Sequence, residues 1–245
     1  DSLTRCKTLN LNDFGYGLVR WRNEGFCAVG GSVFDIGAQT STAINRIASG
    51  YPAEHAGPNS EQMNGNGSLM RVLPLVLWHV GSDAELVYLA MRQSLPTHGH
   101  IHSQLACAFY CLWARAVMQG RANPWQDAES RLWVIARESE IPSGDLDRVL
   151  DPSNAKTAYG SGYVLDTLWS ARSVFESTQS YEDCVRSAIA LGNDTDTTAA
   201  VAGGIAGLKY GLNGIPERWR SGLRGESIYR PLLEALIVIN REMRV

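Results

Sequence analysis

The stretch LACAFYCLWARAV, residues 105–117, carries apolar side chains at Leu105, Ala106, Phe109, Tyr110, Leu112, Trp113 and Val117. That spacing repeats every three to four residues, so one face of a helix is apolar and faces a core. The same period recurs outward from it, at Leu132, Trp133, Ile135 and Ala136, and at Tyr163, Leu165, Leu168 and Trp169. It returns near the C-terminus at Leu232, Leu233, Leu236, Ile237 and Ile239. Alternation of the kind a strand needs is scarce. Breaks fall at 50–67, 96–100, 121–124, 141–144, 151–162 and 191–193, all rich in Gly, Pro, Asn or Ser. None is long or biased enough to be a linker, and no fixed-period repeat is present. The reading is an all-α chain, one domain over residues 1–245 with about ten helices.

Composition narrows the function. The 245 residues are 44% hydrophobic and 19% charged, which excludes a disordered chain. Net charge is −3 with no basic cluster, so a nucleic-acid partner is not expected. The longest nearly uncharged stretch, 197–208, falls short of the ~20 apolar residues of a membrane span, and no membrane partner is expected. Five Cys without a CxxC pair read as free thiols in a cytoplasmic protein, with Cys107 and Cys111 buried on one helix face. The 24 glycines are more than a plain helical bundle needs, and they concentrate in short motifs where backbone approaches a ligand.

The sharpest motif is GNDTDTT, residues 192–198, followed by the small-residue run AAVAGG. It lies between two helical patterns, so Asp194 and Asp196 stand at a helix start. Capping explains one acidic residue there. Two carboxylates and the Thr197 hydroxyl converging on one point also suit a hard divalent cation. A phosphatase nucleophile motif, Asp194-x-Asp196-x-Thr198, would need a strand before it. An EF-hand loop from Asp194 would need Gly and Glu where Ala199 and Ile205 stand.

Three further motifs surround it. NGNGSLMR, residues 64–71, reads as a glycine turn entering a helix capped by Ser68, and such turns present N–H groups to anions. In THGHIH, residues 97–102, three His occur without a Cys or acidic partner at zinc spacing. A loop His bonding a ligand hydroxyl fits better, with a capping His as the alternative. YGSGY, residues 159–163, is either a backbone cradle between aromatic walls or a plain turn.

In order, FDIG (34–37), GNGSLMR (65–71), TH (97–98), YGSGYV (159–164) and LGNDTDTTAAVAGGIAG (191–207) resemble the ADP-ribosylglycohydrolase family, and AGLKYG (206–211) and IPERW (215–219) extend the likeness. The resemblance implies an orthogonal all-α bundle with two Mg²⁺, or Mn²⁺, in a cleft. It implies hydrolysis of the glycosidic bond between ADP-ribose and a modified protein side chain or a small acceptor. Asp194, Asp196 and Thr197 become metal ligands, and Asp35 a candidate catalytic residue near the ribose. Glu61, Gln62, Met63, Asn64, Gly65, Asn66 and Gly67, backed by Ser68, Met70 and Arg71, become the phosphate and ribose cradle. His98 contacts the ligand, and Gly160, Ser161, Gly162 and Tyr163 line the adenosine side. Partners would be ADP-ribose, an ADP-ribosylated protein and, on the alternative reading, an ADP-ribosyltransferase blocked by contact. That alternative is a non-catalytic ADP-ribose-binding or immunity protein. The family also carries an upstream block with a Glu and an Asp-Asp ligand pair, which does not occur in these residues. The expectation is that the 245 residues alone bind metal weakly and do not hydrolyse. On this expectation an N-terminal segment completes the site and covers the small-faced helix at 199–207.

Overall fold

The computed structural model describes residues 1–243. Among these there are thirteen α-helices and no strand. In chain order they are α1 (Ser2–Cys6), α2 (Leu11–Glu24), α3 (Ala38–Ala48), α4 (Leu73–Trp78), α5 (Asp83–Ser94), α6 (Ile101–Met118) and α7 (Pro124–Glu138). There follow α8 (Ser143–Leu150), α9 (Val164–Ser177), α10 (Tyr181–Ala190), α11 (Thr195–Gly214), α12 (Glu217–Gly222) and α13 (Glu226–Glu242). The expected breaks fall between helices, those at 121–124 and 141–144 running into the first residues of α7 and α8. Short α1, α4 and α12 raise the number above ten, because helices of five or six residues are too brief to show a period.

The 105–117 stretch lies in α6, the central helix. It packs against α4, α5, α7, α8, α9 and α11. Leu105, Phe109, Tyr110, Leu112 and Trp113 are at most 1% exposed, since partners stand on every side. Trp113 meets Tyr110, Trp125 and Phe175 edge-on at 5.1–6.1 Å between centroids. Each such pair adds ~1 kcal/mol beyond burial. Cys107 and Cys111 are buried free thiols in this core, and burial pushes Cys107 up to about 11.

The small-residue run of α11 has close neighbours within the chain. A Cβ at Gly204 would stand 2.6 Å from Tyr110 Oη and 2.9 Å from Leu73 Cδ2. One at Gly203 would meet Val185 and Tyr181 of α10. Tyr110 Oη also donates to Val201 O at 2.9 Å. Glycine and alanine here let α6 and α10 approach α11 closely, and that contact fixes where its N-terminus lies.

A second, smaller cluster joins Leu11 of α2, Ile47 of α3, Ala53 and Ala56, with Leu9, Val19 and Leu95 against it. Between α2 and α3, residues 25–37 form an irregular segment with left-handed turns at Gly25, Cys27, Gly30 and Gly31. The FDIG residues end it.

Candidate functional site

Four of the glycine-bearing segments meet on one side of the molecule. Asn66 N donates to Gly162 O at 3.1 Å and Val164 N to Asn64 O at 2.9 Å, a single antiparallel bridge between Gly65 and Tyr163. Asp194 N donates to Gly160 O at 2.9 Å, and Asn193 Nδ2 to Tyr159 O at 3.1 Å. Gln39, at the start of α3, accepts from Gly65 N at 3.1 Å and donates to Met63 O at 2.7 Å. The residues around His98 join through Gly99 N to Pro58 O at 2.9 Å. Loops distant in sequence are thereby held by backbone bonds that any side chain could accept, while glycine permits the approach.

Asn66 is the fastener. It is buried, and its Nδ2 donates to Thr167 Oγ1 and to Asp194 Oδ2, both at 2.8 Å. Thr167 Oγ1 in turn donates to Ser161 O at 3.0 Å. One amide therefore links the glycine turn, α9 and the start of α11. Asp194 occupies the N-cap position of α11, yet its carboxylate makes no capping bond. Burial works to raise its pKa, but bonds from Asn66, and Thr197 and Asp196 close by, outweigh burial and hold it below the usual carboxylate range.

These loops enclose a cleft of about 610 Å³. Asp35, Gly65, Asn66, Gly67, Met70, His98, Gly162, Asp194, Asp196 and Thr197 line it, as the sequence reading anticipates. Asp196 is exposed and makes no ion pair, whereas Thr197 is buried with its hydroxyl 3.8 Å from Met70 Sδ. Their adjacency offers two carboxylates and a hydroxyl from one helical turn. This oxygen donor set fits a hard cation in kind, although such a cation takes at least six ligands. Among the described residues no group of three or more His, Cys, Asp or Glu side chains stands at metal-binding spacing. Asp35 lines the same cleft without joining the Asp194–Asp196 pair.

His98 is 2% exposed, and Thr97 Oγ1 lies 2.7 Å from its Nδ1. Burial, helped by the Arg71 charge, pushes its pKa down to about 3, so the ring is neutral near pH 7. The other two His leave the site. His100 caps α6, accepting from His102 N at 3.2 Å, and His102 bonds Asp145 at 3.1 Å.

Gly67 is required because a Cβ there would lie 2.9 Å from His98 Cε1. One local expectation needs correction. Ser68 does not cap a helix. Residues 67–71 form turns, α4 begins at Leu73, and Ser68 Oγ is buried against Ser94 Oγ at 2.9 Å. The anion-binding idea survives in part. Gly65 and Asn66 amides are spent within the protein, but those of Gly67 and Gly162 meet no protein acceptor.

The remaining anticipated residues stand behind or outside the cleft. Glu61, Gln62 and Met63 are exposed. Asn64 is buried between Glu61 O and Ser103. Gly160 and Ser161 wrap the Asp166 carboxylate, with Gly160 at φ 78°. Tyr163 caps α9, half-exposed. Arg71 faces a separate cavity. The sequence reading missed Trp21, Cys27, Phe34, Gln39 and Thr40, all on the cleft wall. Gln39 and Thr40 follow FDIG directly, so their place was a legible signal. Trp21 on α2 had none.

Comparison with known proteins agrees with this arrangement. The family model described as ADP-ribosylglycohydrolase matches residues 1–244. The chain is 27% identical over 242 residues to the ADP-ribosylarginine hydrolase Tri1 of Serratia proteamaculans (strain 568), covering 99% of this chain and 65% of that protein. It is 28% identical over 208 residues to the ADP-ribosyl-[dinitrogen reductase] glycohydrolase of Rhodospirillum rubrum, covering 84% and 66%. A solved structure, an ADP-ribosylglycohydrolase-related protein complex, superposes with a TM-score of 0.73 at 29% identity, covering 98% of this chain and 77% of that one. The chain spans about two thirds of the length of these curated relatives. The helical frame is thus shared with a solved relative, and the chain belongs to the ADP-ribosylglycohydrolase family.

Proposed function

We propose that the protein is a metal-dependent hydrolase that removes ADP-ribose from a modified protein side chain. Arginine is the favoured acceptor, because one relative is named for ADP-ribosylarginine. The observation that carries the reading is Asn66 bonded to both Asp194 and Thr167, which gathers the glycine turns and the acidic turn on one cleft. A diphosphate there meets free amides at Gly67 and Gly162.

Charge supports a cation. Asp35, Asp194 and Asp196 line the cleft, His98 is neutral, and no Lys or Arg lines it. An anionic ligand entering such a cleft is repelled unless divalent cations neutralise the carboxylates. Asp194, Asp196 and Thr197 would hold Mg²⁺, or Mn²⁺, which when bound orients the ribose hydroxyls and activates water. The protein's own residues do the rest. Asn66 holds Asp194 through one carboxylate oxygen at the cleft wall. His98, with Thr97 at Nδ1, turns Nε2 toward Gly65 and Gly67 and offers a neutral hydrogen bond there. Asp35, in the same cleft, is placed to steady positive charge developing at the ribose carbon as the glycosidic bond breaks.

The donor count favours a second, narrower reading for these residues alone. Three oxygens do not complete two hard-cation sites, so the 245 residues bind ADP-ribose without cleaving, as a reader or an immunity protein would. The natural polypeptide, whatever its length, distinguishes the readings. Incubated with arginine-ADP-ribosylated protein, it releases ADP-ribose with Mg²⁺ and not with EDTA, and Asp196→Ala abolishes release. Binding of ADP-ribose without release would establish the second reading. No described helix is long and apolar enough to cross a membrane, and five free thiols suit the reducing cytoplasm.

A further inference from the structure

Arg71 follows the glycine turn but points away from the cleft, into a separate cavity of about 180 Å³. Arg71 is partly buried. It donates from Nε to Gln93 Oε1 at 3.2 Å, from Nη2 to Gln93 O at 2.9 Å, and from Nη1 to Gly67 O at 3.5 Å. Phe14 lies under it at 5.0 Å from the ring centroid. All three partners are neutral oxygens, and no carboxylate pairs with Arg71 among the described residues. Guanidinium has five N–H groups, so two are left without a partner. Burial lowers its pKa to about 10; the Cys107 thiol works the other way, and no carboxylate does. Buried charges are ordinarily paired, because desolvation costs several kcal/mol.

The cavity around this charge has the shape of a missing partner. Leu3, Leu9, Phe14, Val72 and Leu75 make its walls apolar, and Arg71 with Gln93 makes one end polar. Asp1 also borders it, but that carboxylate is taken by Arg5 at 3.0 Å. The volume equals about six waters at ~30 Å³ each. A carboxylate on a short aliphatic stem matches both the charge and the walls.

We propose that the cavity behind Arg71 is a carboxylate-binding site, filled either by a small free monocarboxylate or by an acidic side chain of polypeptide outside these 245 residues. The carboxylate takes the two open N–H groups of Arg71 and buries its stem against Leu9 and Phe14. Neither source is part of the cleft chemistry, and the site stands whether or not the hydrolase reading does.

Calorimetric titration of the 245-residue chain with sodium butyrate, against sodium chloride at equal ionic strength, tests it. Saturable one-to-one binding of butyrate is expected. Arg71→Met should weaken it about tenfold or more, as loss of a charged hydrogen-bond partner does. Leu9→Trp fills the cavity without touching the guanidinium and should abolish binding, which keeps the test decisive if Arg71→Met does not fold. No saturable binding to the unaltered chain, or binding unaffected by either substitution, overturns the proposal. Where the natural polypeptide is longer, the same titration names the source. Butyrate excluded there assigns the carboxylate to the polypeptide, and butyrate still bound assigns it to a free ligand.

Discussion

Gly67 and His98 share one small volume, and each explains the other. The Gly67→Val variant places its Cβ 2.9 Å from His98 Cε1 and 3.4 Å from Thr40 Oγ1. The ring has nowhere to go at 2% exposure, so overpacking of about 1–3 kcal/mol follows. ADP-ribose affinity and melting temperature should fall together, measured by calorimetry and thermal denaturation. A variant that binds normally would show the turn does not meet the ligand. His98 also sets a pH dependence. Its pKa is about 3 folded against 6.5 unfolded, so between those values the unfolded chain binds the extra proton. Its contribution is complete above about pH 6.5 and is lost as pH falls toward 3, at most ~1.4 kcal/mol per pH unit. The difference in unfolding free energy between wild type and His98→Asn should therefore change with pH across this window. A constant difference from pH 4 to 7 would contradict the burial argument. Asp196→Ala removes an exposed carboxylate that has no cationic partner among the described residues. Stability should change by less than ~1 kcal/mol while Mg²⁺ affinity is lost; unchanged affinity by titration would leave this turn without a metal role.

α11 joins the chemistry to the core. Its first turn carries Asp196 and Thr197, and its small face seats Tyr110 and Leu73 at Gly204. Gly204→Val should destabilise by about 1–3 kcal/mol or more, since Tyr110 Oη would have to leave Val201 O. Denaturant unfolding measures it; a loss under ~0.5 kcal/mol would show that α6 and α11 have slack. Long helices such as α6 and α9 were legible because an apolar stripe survives many turns. The run at 199–207 had no stripe, only small residues. It announced a close neighbour without saying which, and the neighbours proved to be α6 and α10. The turn at 67–71 was misread as a helix start because Ser68 suits a cap, while its actual partner, Ser94, lies 26 residues away. Local sequence cannot show such a tertiary bond.

At the scale of the molecule, motifs separated by up to about 160 residues converge because α6 and its neighbours fix where their loops emerge. Residues that carry chemistry announced themselves by type: two Asp with a Thr, a His beside a Thr, glycines in pairs. The walls did not. Trp21 reaches the cleft from α2, where neither period nor motif marks it, and Phe34, though it opens the FDIG motif, was not singled out. The family resemblance placed Arg71 behind the phosphate cradle, yet its side chain lines a separate cavity. If the joined loops form an ADP-ribose site, calorimetric titration of the 245-residue chain with ADP-ribose in Mg²⁺ gives saturable one-to-one binding that Gly67→Val abolishes; no binding by the unaltered, folded chain would rule such a site out.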